Sequence, residues 1–70
     1  MLKFAERLKD LRLSKKMSQR DLAKEIKVSQ PAIARWESNL QIPNIEIACE
    51  IAVFFNVSLD YLVGLVDYIE

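Results

Sequence analysis

The 70 residues predict an all-α fold of five short helices. Two features carry this reading. Apolar residues recur at three- and four-residue spacings, the period of a helix with a buried face. Four of the five runs open on a residue whose side chain can accept from free backbone N–H groups: Ser18, Ser29, Asn44 and Ser58. One glycine and two prolines interrupt the pattern little, which also argues against disorder.

The first helix is expected from about Leu2 to Ser14, where Phe4, Leu8 and Leu11 form an i, i+4, i+7 stripe. Lys15 and Lys16 follow, placing positive charge near the negative end of the helix dipole. The second helix covers Gln19 to Ile26. Ser18 caps it, Asp21 makes a capping-box-like partner, and Met17 with Leu22 has the spacing of a hydrophobic staple. Leu22, Ala23 and Ile26 share a face, and the small Ala23 suits a close crossing with a neighbouring helix. Lys27 stands in the turn. The third helix covers 30–37 behind Ser29, with Val28 and Ile33 as a second staple pair. Pro31 falls in its first turn, where a missing N–H has no intrahelical partner to lose. Ile33 and Trp36 point inward, which turns Gln30, Pro31, Ala34 and Arg35 outward.

Ser38 and Asn39 close the third helix, and Asn39 suits a left-handed cap. Leu40 to Pro43 connect to a fourth helix, capped by Asn44 and running through Phe55. Its core face is read as Ile45, Ala48, Cys49, Ala52 and Phe55, with Ile47, Ile51 and Phe54 as a second apolar stripe. Asn56 ends it. Ser58 caps a fifth helix, Val57 and Leu62 form a third staple pair, and Gly64 is placed as its C-terminal cap. The closing LVDYIE is too apolar for a free solvated terminus.

The stretch Ser18 to Glu37, SQRDLAKEIKVSQPAIARWE, resembles the helix-turn-helix of the Cro/cI-type, lambda-repressor-like DNA-binding family. That family's pattern opens on glutamine, has a small residue fifth, and has apolar residues eighth, tenth, fifteenth and eighteenth. Gln19, Ala23, Ile26, Val28, Ile33 and Trp36 match it. ERLKDLR (Glu6 to Arg12) and VSLDYLVG (Val57 to Gly64) extend the likeness over nearly the whole chain. It implies one compact lambda-repressor-like domain over residues 1–70, with the motif at 18–37. One position departs from the pattern. The ninth is commonly glycine because the backbone is left-handed there, and Lys27 in that conformation costs on the order of 1 kcal/mol.

The resemblance implies sequence-specific binding of double-stranded DNA by a transcriptional regulator, most simply a repressor, with helix 30–37 in the major groove. Gln30 can pair bidentately with adenine and Arg35 with guanine, while Pro31 and Ala34 offer apolar contact. Gln19 matches the family's phosphate-contacting glutamine, and Lys27, Ser29, Asn39, Gln41 and Asn44 are the other expected phosphate contacts. Related proteins often carry Lys or Arg in the connection after the reading helix. Leu40, Gln41 and Ile42 stand there instead, leaving neutral donors. Similar proteins also set an arginine late in the first helix against a glutamate ending the third, which implies an ion pair of Arg12 with Glu37.

Seventy residues, about half of them apolar, suffice for one small core. With no 18-residue apolar run and no leader-like start, neither a membrane span nor a signal peptide is expected. The lone Cys49 is read as a buried, inert thiol, and the expected location is the cytoplasm. The net charge is zero, yet all ten basic residues precede Trp36, so residues 1–36 carry +6 and residues 37–70 carry −6. Such polarity suits a polyanion at the first half and another partner at the second.

The absence of histidine, of a glycine-rich phosphate loop and of a metal-ligand cluster argues against an enzyme, a metal or a cofactor. A protein-interaction module remains as the alternative, because the same family fold serves antitoxins that hold a toxin on another surface. Surplus apolar residues point to a homodimer built on Ile47, Ile51, Phe54, Leu65, Tyr68 and Ile69. Two-fold symmetry would set the two reading helices about 34 Å apart on one DNA face. In the competing arrangement the fifth helix and the tail fold back over the stripe within one chain.

Overall fold

The computed structural model describes residues 3–69, in the order α1 (Phe4–Ser14), α2 (Gln19–Ile26), α3 (Gln30–Glu37), α4 (Ile45–Phe55) and α5 (Leu59–Val63). No strand occurs among the described residues. Leu2, where the first helix is expected to begin, lies outside them. Helices this short are marginal alone, so caps and packing must hold them.

The caps are formed as the side-chain types require. Ser18 accepts from the Asp21 N–H while Asp21 accepts from the Ser18 N–H, a reciprocal box with both contacts at 3.0 Å. Ser29, Asn44 and Ser58 accept from the N–H groups of Ala32, Ile47 and Tyr61. At the far ends, Lys27 and Asn56 take left-handed backbones with φ of 59° and 56°. Their successors Val28 and Val57 return N–H bonds to Ala23 and Ala52. Asn39 is left-handed as well, one residue beyond the Ser38 cap, and so is Lys16 after α1.

The core is filled by Phe4 and Leu8 of α1, Leu22 of α2, Ile33 of α3, Ile51 of α4 and Leu62 of α5, all essentially inaccessible. Each such side chain stabilises the fold by about 1.5–3 kcal/mol relative to exposure. α3 packs on both α1 and α2, and α5 packs on α1 and α4. The buried Ala23 keeps α2 slim where it packs against its neighbours.

α4 corrects three expectations. Its buried face is Ala48, Ile51, Ala52 and Phe55. Ile51, expected on a dimer surface, is 0% exposed and belongs to the core. Ile45 and Cys49, expected inside, are exposed. The physical reason is size. Ala48 and Ala52 cannot fill the centre alone, and the helix turns its buried arc toward the larger Ile51. Ile47 and Phe54 end half-buried against the core.

The chain beyond α5 is drawn onto α1. Arg7 Nη1 donates to the carbonyls of Tyr61 and Val66 at 2.6 and 2.8 Å, and Nη2 to the Asp67 carboxylate at 2.9 Å. The Arg7 guanidinium also lies 4.0 Å from the Tyr61 ring centroid, a cation–π distance. Lys3 donates to the same Asp67 carboxylate at 3.1 Å. Gly64 makes this return possible. Its φ is 94°, and a Cβ there would stand 2.8 Å from the Lys3 Cβ. The folded-back segment covers the Arg7 side chain, while Leu65, Tyr68 and Ile69 face solvent.

Candidate nucleic-acid interface

α3 carries the face with the greatest chemical reach. Ile33 and Trp36 are buried, whereas Pro31 and Arg35 are exposed and Gln30 and Ala34 half-buried. These four therefore share the side of α3 turned from the core. Ser29 fixes the start of the helix, and Glu37 fixes its end.

The Glu37 carboxylate sits against Arg12 in a two-pronged contact, with Nε to Oε2 at 2.7 Å and Nη2 to Oε1 at 2.9 Å. The two side chains are only 8% and 4% exposed. The hydrogen bonds with Glu37 hold Arg12 protonated more firmly than usual, outweighing partial desolvation, with Coulomb attraction adding to them. The remaining Arg12 Nη1 donates to the Met17 carbonyl at 2.8 Å. No buried side-chain nitrogen or oxygen among the described residues lacks a partner.

A polar chain leads outward from that pair. An ionised carboxylate can only accept, so Glu37 Oε1 takes an N–H of the Gln19 amide at 3.1 Å. This turns the Gln19 carbonyl toward Gln30, whose Nε2 donates to it at 2.8 Å. Gln30 retains its Oε1 and a second N–H. One acceptor beside one donor is the complement of the adenine edge in the major groove.

The expected phosphate contacts divide. Lys27 and Asn39 are exposed in left-handed turns. Ser29 and Asn44 use their oxygens as caps, which leaves a hydroxyl hydrogen and an amide NH2 as donors. Gln19 uses its carbonyl and one N–H within the polar chain and keeps its other N–H as a donor. Gln41 accepts from Arg35 Nε at 2.8 Å. Sequence reasoning does not single out Arg20. This exposed residue of α2 lines, with Arg12, Ser18, Gln19 and Gln30, an open depression beside the N-termini of α2 and α3. The available signal is a basic residue directly after the motif's opening glutamine, masked by the other basic residues of that half.

A helix-turn-helix family model matches residues 8–62, spanning α2, α3 and the turn between them. The chain belongs to the helix-turn-helix family. Its helix-turn-helix is of the Cro/cI type, a DNA-binding element of transcriptional regulators. The chain is 40% identical over 63 residues to the HTH-type transcriptional activator BcrR of Enterococcus faecalis, covering 90% of this chain and 31% of that one. It is 34% identical over 59 residues to the uncharacterized HTH-type transcriptional regulator YqaE of Bacillus subtilis (strain 168), covering 84% and 51%. A third relative, the uncharacterized regulator YobD of the same organism, is 28% identical over 64 residues, covering 91% and 57%. The chain thus spans from about a third to just over half the length of these helix-turn-helix relatives. No solved structure matches it. None of its helices, among the described residues, is long and apolar enough to cross a membrane.

Proposed function

We propose that residues 1–70 act as one operator-reading domain that binds a specific duplex through α3 and represses transcription as a homodimer. The observation that carries this is the polar chain from Glu37 through Gln19 to Gln30. It ties the end of the reading helix and its first outward side chain to the scaffold, so Gln30, Pro31, Ala34 and Arg35 present one rigid edge. In this reading Gln30 takes adenine and Arg35 guanine, and Pro31 and Ala34 lie against thymine methyls or sugar. Lys27, Ser29, Asn39 and Asn44, the remaining amide N–H groups of Gln19 and Gln41, and in addition Arg20 hold phosphates. One eight-residue helix reads only a few base pairs, so two copies are needed. The exposed Leu65, Tyr68 and Ile69, with half-buried Ile47 and Phe54, are the surface proposed for that contact.

Selection of bound duplexes from a random pool tests this. The expected result is an inverted repeat with adenine and guanine at fixed places in each half-site. Failure to enrich any sequence would remove the operator-reading role. The sign of regulation is read from a reporter carrying the selected site. Expression that rises when the chain is removed supports repression, and expression that falls assigns activation, the role in the name of the Enterococcus relative.

A second reading, an antitoxin that holds a toxin, draws support from a groove between α2 and α4 lined by Ile26, Val53 and Phe54 with Glu25, Glu50 and Lys27. A toxin-like reading frame beside this one would favour it, and it would add to DNA binding rather than replace it.

A further inference from the structure

We propose that Gln41 is a positioning residue for Arg35, deciding which edge of the guanidinium meets a base. This rests on the reading in which Arg35 contacts DNA. An exposed arginine has many rotamers and two usable edges, one through Nε and one Nη, the other through both Nη atoms. Arg35 Nε donates to Gln41 Oε1 at 2.8 Å. The first edge is therefore occupied. The end-on edge has no partner among the described residues, and its two parallel N–H groups fit the O6 and N7 acceptors of guanine.

The loop backbone holds Gln41 where it can do this. Asn39 is left-handed, which reverses the chain after α3, and the Leu40 N–H then donates to the carbonyl of Arg35 itself at 2.9 Å. Pro43 is buried and anchors the other side of the loop. Gln41 thus stands between two fixed points, one of them on the same turn as the residue it orients.

The residue type also fits. A lysine or arginine at 41 would grip a phosphate but would repel Arg35 and offer it no acceptor. Glutamine supplies the acceptor through Oε1 and keeps its NH2 for a phosphate. A neutral connection directly after the basic Arg35 fits that double demand. One side chain then links the base contact to the backbone contact, and the two registers are set together.

The test measures affinity for the selected operator and for its single-base variants. Arg35→Ala is expected to flatten the preference at one position by about 5- to 150-fold. Gln41→Leu should flatten the same position by about 2- to 10-fold, the net effect of one hydrogen bond, and leave every other position unchanged. Gln41→Glu keeps the acceptor and places a charge toward phosphate. It should preserve the preference at that position and weaken binding to all sequences alike. The double variant Arg35→Ala with Gln41→Leu should flatten nothing further. Circular dichroism checks that each variant folds, with Gln41→Ala in reserve for the leucine variant. Uniform weakening by Gln41→Leu, with the preference intact, would make Gln41 a phosphate donor only and overturn the proposal. If Arg35→Ala alters no position, the base-reading role of Arg35 falls first and the proposal falls with it.

Discussion

Arg12 and Glu37 meet as a two-pronged pair that joins α1 to the last residue of α3, almost out of reach of water. Removing one partner strands the other charge. Arg12→Ala or Glu37→Ala should therefore cost about 3–5 kcal/mol in urea unfolding. Replacing both together, Arg12→Met with Glu37→Leu, should recover most of that stability. DNA binding should not recover with it, because the Gln19 N–H has then lost its acceptor. A cost below about 1 kcal/mol for either single change would mean that the pair behaves as a solvated one.

Base reading and phosphate holding separate by mutation. Arg35→Ala should cost roughly 1–3 kcal/mol on the preferred site and relax one base position. Lys27→Gly should weaken all sequences equally and also relieve the left-handed strain, raising stability by up to about 1 kcal/mol. Titrations on specific and scrambled duplexes, with a thermal melt of each variant, read both. An altered base preference in Lys27→Gly would place that lysine among the base readers.

The proposed dimer surface can be separated from the core. Tyr68 and Ile69 are 61% and 58% exposed, so Tyr68→Asp or Ile69→Asp should weaken operator binding while leaving the melt nearly unchanged. Ile51→Ala should instead unfold readily, at a cost of about 2–5 kcal/mol. Sedimentation with and without DNA decides the assembly. A monomer under both conditions would end the homodimer proposal.

Acid should loosen the tail only below the ordinary carboxyl range. The Lys3 hydrogen bond, and after it the Arg7 hydrogen bond, hold the Asp67 carboxyl below its ordinary value of 3.8. Its contribution is thus fully present above that value and is lost as pH falls through the depressed folded value. Asp67→Asn should show a constant deficit near neutrality, and the parent should converge on it in acid. Arg7 keeps its bonds to the Tyr61 and Val66 carbonyls, so the segment loosens without detaching. Carboxyl titration by NMR, with amide exchange over 65–69, checks this. A titration at the ordinary value would leave Asp67 without a role in holding the tail.

Helix positions were legible in the sequence because caps are local. Ser18, Ser29, Asn44 and Ser58 each announce a start through chemistry confined to a few residues. The rotation of α4 was not, since apolar residues on two sides leave the period without a phase. Only the packing partners decide that Ile51 goes in and Cys49 stays out. The outward face of α3 followed from Ile33 and Trp36. The links from Glu37 to Gln19 to Gln30, and from Arg35 to Gln41, depend on how helices and loop meet in space, and no spacing encodes them.

The hydrogen bond between Gln19 and Gln30 also sets how this surface can change its target. Pro31, Ala34 and Arg35 can be exchanged without leaving a buried polar atom behind. Exchange of Gln30 for a side chain without a donor abandons the half-buried Gln19 carbonyl, whose amide Glu37 holds in place. New operators are therefore reached most cheaply by drift at 31, 34 and 35. A donorless residue at 30 needs a companion change at 19, and a library that randomises 30 alone will return mostly side chains that can donate.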